Sequence, residues 1–198
     1  MDNLITIIMS ASMLLLGLRF MMQLAGVDPY NPVYVSTLKS TYVVDVFGRI
    51  LPTVQKGRIN LAALVLICLI ELIWVFYKTH GGENQFSILM VNFNIDSHLD
   101  IVVVWLLSLL VDFLFFCKWA IIASIILSWV RVFNQSPSVF LGAVMEVVMQ
   151  MTEPLLAPFR RIMPDLGPID LSPMVAFLAI IICQHLLGAA AVTLSTMV

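Results

Sequence analysis

The sequence predicts an all-α membrane protein with four transmembrane helices. The first observation is composition, since 61% of the 198 residues are hydrophobic and only 11% are charged. A soluble domain averages about 25% charged residues. The charged residues of this chain are therefore too few to cover the surface of a soluble protein. The second observation is a set of four apolar runs, each long enough to cross a bilayer. A net charge of −2 also excludes the basic footprint of a nucleic-acid-binding protein.

The four apolar runs are the predicted spans, because about 20 apolar residues cross the hydrocarbon core as a helix. They cover Leu4–Leu24, Ile59–Tyr77, Ile101–Val130 and Met174–Val198. The third run would form about 45 Å of helix, so it must tilt, bend or project beyond the membrane. The N-terminus lacks a positively charged segment, so we expect the first run to be retained rather than cleaved as a signal peptide.

The basic residues predict the orientation. Of the ten Lys and Arg, five lie within 19–58 and three within 131–161. The positive-inside rule therefore places these two segments in the cytoplasm. Both termini and the polar segment 78–98 are then expected on the opposite side. Arg19 and Arg131 lie just inside the cytoplasmic boundary and are expected to extend towards it.

The two halves of the chain resemble each other. Arg19 and Arg131 are 112 positions apart, and a Phe-x-Arg-Ile-x-Pro string begins at both Phe47 and Phe159 with the same offset. Each half contains two spans, so the two repeats are predicted to be parallel, related by an axis along the membrane normal. A single membrane domain, 1–198, is thus divided into repeat 1 (1–77), an outer connecting loop (78–98) and repeat 2 (99–198).

Each repeat is also predicted to carry a short interfacial or re-entrant helix in its cytoplasmic loop. Asn31-Pro32 and Ser136-Pro137 each offer an N-cap followed by a proline at the first helical position. The helices are expected to run to about residues 46 and 152, the second stopping before Pro154. The second segment is so apolar that it should lie in the interface, enter the membrane and return, or pack against a partner.

One string in repeat 2 is specific. Residues 151–164 read Met-Thr-Glu-Pro-Leu-Leu-Ala-Pro-Phe-Arg-Arg-Ile-Met-Pro, and residues 167–173 read Gly-Pro-Ile-Asp-Leu-Ser-Pro. This string resembles the signature of the YggT family of bacterial and plastid membrane proteins. Repeat 1 carries a weaker form, in which Thr41-Tyr42 stands where Glu153-Pro154 would align.

The resemblance implies a protein of the bacterial inner membrane, and it implies no enzymatic activity. In that membrane, the orientation expected from the basic residues places the termini and the central loop in the periplasm. Bacterial members of the family are linked to osmotic tolerance, potassium homeostasis and cell-division gene neighbourhoods. Plastid relatives are linked to nucleoid organisation and to assembly of a thylakoid cytochrome complex. These associations do not converge on one mechanism.

The loop of repeat 2 is the first candidate site. Its candidate partner- or lipid-binding residues are Glu153, Pro154, Pro158, Arg160, Arg161, Pro164, Asp170, Ser172 and Pro173. The prolines should prevent a continuous helix, and Ser172-Pro173 should start the last span. Two interpretations stay open for Arg160 and Arg161. They pair with Glu153 and Asp170 and hold the loop, or they dock anionic lipid head groups or a partner's acidic face.

The spans hold the second candidate site. Glu71 and His185 lie within apolar runs, where ionisable groups are expensive and are functional candidates by default. Facing each other, they would relay protons or line an ion path. The alternative is an interhelical hydrogen bond that stabilises the bundle. Asp112 and Lys118, in the third run, are expected to reach water.

The first functional hypothesis is a non-enzymatic scaffold, assembly factor or osmotic-homeostasis factor that presents the repeat 2 loop to lipid or to an unknown membrane protein. The alternative is an ion channel or transport modulator, acting in potassium or osmotic stress through Glu71 and His185. Four spans are few for a transporter, so this alternative needs a homo-oligomer. Isolated cysteines and histidines indicate no catalytic residues, no metal site and no cofactor.

Overall fold

Helices make up most of the structure. The computed structural model describes residues 2–51, 53–54, 59–80, 85–89, 91–94, 98–133, 136–162 and 171–195. In chain order its elements are α1 (Asp2–Ala25), α2 (Pro32–Ser40), α3 (Tyr42–Gly48), β1 (Thr53–Val54), β2 (Ile59–Asn60), α4 (Leu61–His80), β3 (Gln85–Ile88), β4 (Val91–Asn94), α5 (His98–Phe133), α6 (Val139–Ile162) and α7 (Ser172–Ser195).

Five of the described helices, α1, α4, α5, α6 and α7, are long and apolar enough to cross a membrane. The predicted class, an all-α membrane protein, is therefore confirmed, with two short hairpins added. The four predicted spans correspond to α1, α4, α5 and α7. At 36 residues, α5 measures about 54 Å, so a hydrocarbon core of about 30 Å cannot hold it upright.

The loop helix of the second half differs from its prediction. It is not short, because α6 continues through Pro154 and Pro158 and ends at Ile162. The expected stop before Pro154 is wrong, and so is the expectation that the prolines prevent a continuous helix. A proline costs one hydrogen bond and crowds the preceding turn, but neighbouring helices can compensate a helix for this loss. The two prolines are one turn apart and both exposed, so their rings avoid the packed side.

The start of α6 also lies later than predicted. The helix begins at Val139, and the hydroxyl of Ser138 accepts a hydrogen bond from the backbone N–H of Leu141 at 3.3 Å. Ser138 therefore caps the helix, rather than Ser136. Both serines offer the same side-chain oxygen, so the local sequence does not distinguish them.

The loop helix of the first half is divided in two. The predicted start is confirmed, since α2 begins at Pro32 and the side chain of Asn31 accepts a hydrogen bond from the N–H of Val33 at 2.9 Å. The helix is interrupted at Thr41, which has φ −113° and ψ 33°, and α3 then runs to Gly48. At the interruption, the carbonyl oxygen of Thr41 accepts a hydrogen bond from the backbone N–H of Val44 at 3.0 Å, and its hydroxyl donates to the carbonyl oxygen of Thr37 at 2.6 Å.

The long helices pack around α5, which contacts α4, α6 and α7, while α1 packs on α4 and α6. Within the segment 78–98, the strands β3 and β4 form an antiparallel hairpin. Its buried residues Ile88 and Phe93 pack with Val75 of α4, Val104 of α5 and Ala191 of α7. The hairpin therefore joins one end of α4, α5 and α7, where the sequence indicated only a polar loop.

Candidate functional site

Arg19 is buried at the junction between α1 and the first loop helix, with 2% of its surface exposed. Its Nη1 donates to the carbonyl oxygen of Thr41 at 2.7 Å and to the hydroxyl of Thr41 at 3.0 Å. Its Nη2 forms an ion pair with Asp45 of α3. The expectation that Arg19 extends to the membrane boundary is wrong, because the interruption at Thr41 offers acceptors inside the protein. Arg131 is exposed.

A second polar contact joins α2 to α6. The side-chain nitrogen of Asn31 donates to the carbonyl oxygen of Ala143 at 3.1 Å and to Glu146 at 3.4 Å. Gln150 donates to the other carboxylate oxygen of Glu146 at 3.2 Å. Asn31 and Ala143 are 112 positions apart, which equals the predicted repeat offset. The two-repeat arrangement stays a prediction; in such an arrangement, only equivalent positions that lie near the axis would be close together.

The predicted loop site lies at the C-terminal end of α6. Glu153 and Arg160 form an ion pair on the helix surface, with 56% and 40% of their side chains exposed. The pair belongs to a single helix, so it does not fasten the loop to the last span. Arg161 is exposed beside it, as are Pro154 and Pro158.

The remaining residues of the predicted loop site are partly described. Ser172 is buried and begins α7, with Pro173 after it, which confirms the predicted start signal of the last span. Pro164 and Asp170 lie outside the described residues, and so does the predicted pairing of Asp170 with the arginines.

Glu71 and His185 are not brought together within one chain. Glu71 is 3% exposed in α4, whereas His185 is exposed on α7. The polar neighbours of Glu71 are Ser108 and Asp112, both on α5. Sequence reasoning missed this pairing, since it depends on how α4 and α5 are rotated. The only signal in the sequence was that Glu71 and Asp112 lie inside neighbouring apolar runs.

Lys118 lies on a different side of α5. Its Nζ donates to the side-chain oxygen of Gln184 on α7 at 3.1 Å and lies 4.9 Å from the centre of the Phe115 ring. Lys118 is half-buried, and its access to water stays a prediction. Six residues separate it from Asp112, which places the two side chains about 120° apart around the helix. The carboxylate and the ammonium of α5 therefore face different neighbours.

A crevice of about 590 Å³ opens between α1 and α5. We call it the α1–α5 crevice. Its lining includes the buried Glu71 of α4, the exposed Asp112 of α5, and Val148 and Met151 of α6. The rest of its lining is mainly apolar and aromatic, and among the described residues it includes no Lys, Arg or His. Residues from both halves of the sequence build it, so neither half alone indicates it.

These features define a class, the multi-pass α-helical membrane protein. A family model described as CCB3/YggT matches residues 101–191, which include α6 and most of α5 and α7. The "Uncharacterized protein YggT" of Escherichia coli K12 is 32% identical over 193 residues, which cover 96% of this chain and 89% of that protein. The chain belongs to the CCB3/YggT family.

Two further relatives are similar to this chain over most of its length. The "Uncharacterized protein PA0392" of Pseudomonas aeruginosa is 34% identical over 176 residues, covering 86% of this chain and 79% of the relative. The "Uncharacterized protein in proC 3'region" of Vibrio alginolyticus is 30% identical over 192 residues, covering 95% and 93%. No solved structure matches the chain. The family relation thus extends over nearly the whole chain, and none of these names states an activity.

Proposed function

We propose that this protein is a non-enzymatic scaffold or assembly factor of the bacterial inner membrane. Its interaction surface would be the basic end of α6, which we define as Glu153, Pro154, Pro158, Arg160 and Arg161. One observation carries the proposal. These residues are exposed on a helix whose opposite side is packed, so the surface is both accessible and held in place.

The chemistry of the basic end of α6 suits an acidic partner. Consecutive residues of a helix point about 100° apart, so Arg160 and Arg161 present guanidinium groups over a wide arc. A guanidinium group binds carboxylate or phosphate in a planar, two-point geometry. The ion pair between Glu153 and Arg160 is exposed, and such pairs contribute about 0–1 kcal/mol. An acidic side chain of a partner can therefore displace Glu153 at little cost.

The contacts of α6 support a position across the cytoplasmic end of the bundle. Val147 and Met151 pack with Met21 and Met22, which lie near the C-terminal end of α1. Leu156 packs with Ala176, which lies in the first turns of α7. A helix that crossed the membrane beside its neighbours would contact them along their length. The proposal therefore has four crossings, with α6 in the interface and both termini in the periplasm.

Reporter fusions at the two ends test this topology. With four crossings, a periplasm-dependent reporter is active at both the N-terminus and the C-terminus. With five crossings, the two termini report opposite sides. A reporter after Gly82 is a third position, and it should be active only in the periplasm. Cytoplasmic activity there would overturn the proposed orientation.

Crosslinked capture from native membranes tests the interaction surface. The double variant Arg160→Gln/Arg161→Gln should capture at least tenfold less of a specific crosslinked membrane protein. It should also reduce growth at high osmolarity. Lys39→Gln/Arg49→Gln is the matched control, because it removes two exposed charges from the loop of the first half. Equal losses in both variants, or in neither, would contradict the proposal. Retained capture together with lost binding to phosphatidylglycerol vesicles would assign the surface to lipid.

The second candidate function is an oligomeric ion channel or transport modulator that uses Glu71 and His185. The exposure of His185 on α7 favours a path between copies of the chain, because the two residues do not meet within one copy. Potassium flux in reconstituted vesicles tests it. Both Glu71→Gln and His185→Gln should abolish the flux, and vesicles that stay tight with the unaltered protein would exclude this function.

A further inference from the structure

The α1–α5 crevice has the size and composition of a small-molecule site. Its volume of about 590 Å³ lies within the roughly 300–1,000 Å³ of known ligand pockets. Four helices build it, and its lining includes the aromatic residues Trp74, Phe116 and Trp119. Aromatic rings attract cations through the negative charge on their faces. The crevice thus offers both apolar contact area and surfaces that favour a positive charge.

Two carboxyl groups line the crevice without a basic residue among the described part of the lining. Glu71 is 3% exposed and has Ser108 and Asp112 as polar neighbours, and Asp112 is exposed. Lys118 is turned towards Gln184, and Arg19 is engaged by Thr41 and Asp45. A carboxylate is costly to bury without a counter-charge. A cationic ligand would supply the counter-charge that the described lining lacks.

The entrance of the crevice faces sideways. Leu14 of α1 and both Phe113 and Trp119 of α5 line it and are exposed on the outer surface of the helices. All three lie within predicted spans, where the surrounding medium is lipid. A molecule that enters here must first dissolve in the bilayer, so it must carry an apolar body.

We propose that the α1–α5 crevice binds a lipophilic cation, an organic ammonium or phosphonium ion that enters from the bilayer. Its apolar body would lie against the aromatic residues, and its charge would lie between Glu71 and Asp112. Anions of the same shape would be rejected by the two carboxyl groups. The site is separate from the basic end of α6, so either proposal can fail without the other.

Two ions of matched shape and opposite charge test the site. Purified protein in phosphatidylcholine nanodiscs is titrated with radiolabelled tetraphenylphosphonium, with empty nanodiscs subtracted. Saturable binding is expected, and tetraphenylborate should compete at least tenfold more weakly than unlabelled phosphonium. Absence of saturable binding, or equal competition by the two ions, would overturn the proposal.

Variants then locate the site. Glu71→Gln should weaken phosphonium binding at least tenfold, and Asp112→Asn at least threefold. Ala120→Leu should abolish binding while keeping both carboxyl groups, because it fills the crevice. Asp28→Asn removes an exposed carboxylate away from the crevice and should leave binding unchanged. Unchanged affinity in both Glu71→Gln and Ala120→Leu would overturn the assignment. If Glu71→Gln does not fold, the binding affinities of Asp112→Asn and Ala120→Leu decide whether the crevice is the site.

Discussion

The two basic segments of the chain, 19–58 and 131–161, use arginine in opposite ways. In the first, Arg19 is buried and its donors are occupied by Thr41 and Asp45, so the residue holds α1 against the α2–α3 junction. In the second, Arg160 and Arg161 are exposed at the end of a continuous helix. The first region uses its charge to build the fold, and the second presents its charge to the surroundings.

The helices of the two segments differ at a pair of positions that the predicted repeat offset would align. Thr41 and Glu153 occupy positions 112 apart. At Thr41 the helix is interrupted, and the carbonyl oxygen and the hydroxyl of Thr41 both accept hydrogen bonds from Arg19 in addition to their local bonds with Val44 and Thr37. At Glu153 the helix continues, so the backbone stays in the helical ladder and the carboxylate reaches Arg160 instead. Arg19 is thus buried at the interruption, whereas Arg131, which lies 112 positions later, is exposed.

The largest expected effect comes from removing the buried arginine. Arg19→Gln should lower the free energy of unfolding by about 3 kcal/mol, because it breaks an ion pair with one buried partner and removes two buried hydrogen bonds to Thr41. Arg131→Gln, at the corresponding exposed position, should change it by less than about 0.5 kcal/mol. Denaturant unfolding in detergent micelles measures both. Equal costs would mean that the two arginines do not differ in role.

A smaller difference is expected between the two N-caps. Asn31→Ala should cost about 2 kcal/mol, since it removes the cap of α2 and also the hydrogen bonds to Ala143 and Glu146. Ser138→Ala should cost about 0.5–1 kcal/mol, because the serine caps its own helix and its hydrogen bond is long. The same unfolding measurements apply. A larger loss in Ser138→Ala would contradict the idea that Asn31 joins the two halves.

The sequence predicts the features that depend on local chemistry. Long apolar runs identify the helices α1, α4, α5 and α7, and Asn31-Pro32 and Ser172-Pro173 locate two helix starts, because a cap acts within one turn. The course of α6 through Pro154 is not predictable in this way, since packing with distant residues decides whether a proline ends a helix. The proximity of Glu71 and Asp112 is not predictable from the sequence either, because it depends on the relative rotation of two helices.

The smallest expected change in stability concerns the exposed ion pair at the basic end of α6. Glu153→Gln should alter the free energy of unfolding by less than about 1 kcal/mol, because the ion pair with Arg160 is solvent-accessible. If the basic end of α6 binds an acidic partner, this variant should increase crosslinked capture about twofold or more, since it removes a competing carboxylate. Asp45→Asn is the contrasting variant, and it should reduce stability without raising capture, because its partner Arg19 stays buried. Reduced capture in Glu153→Gln would show instead that the carboxylate itself contacts the partner.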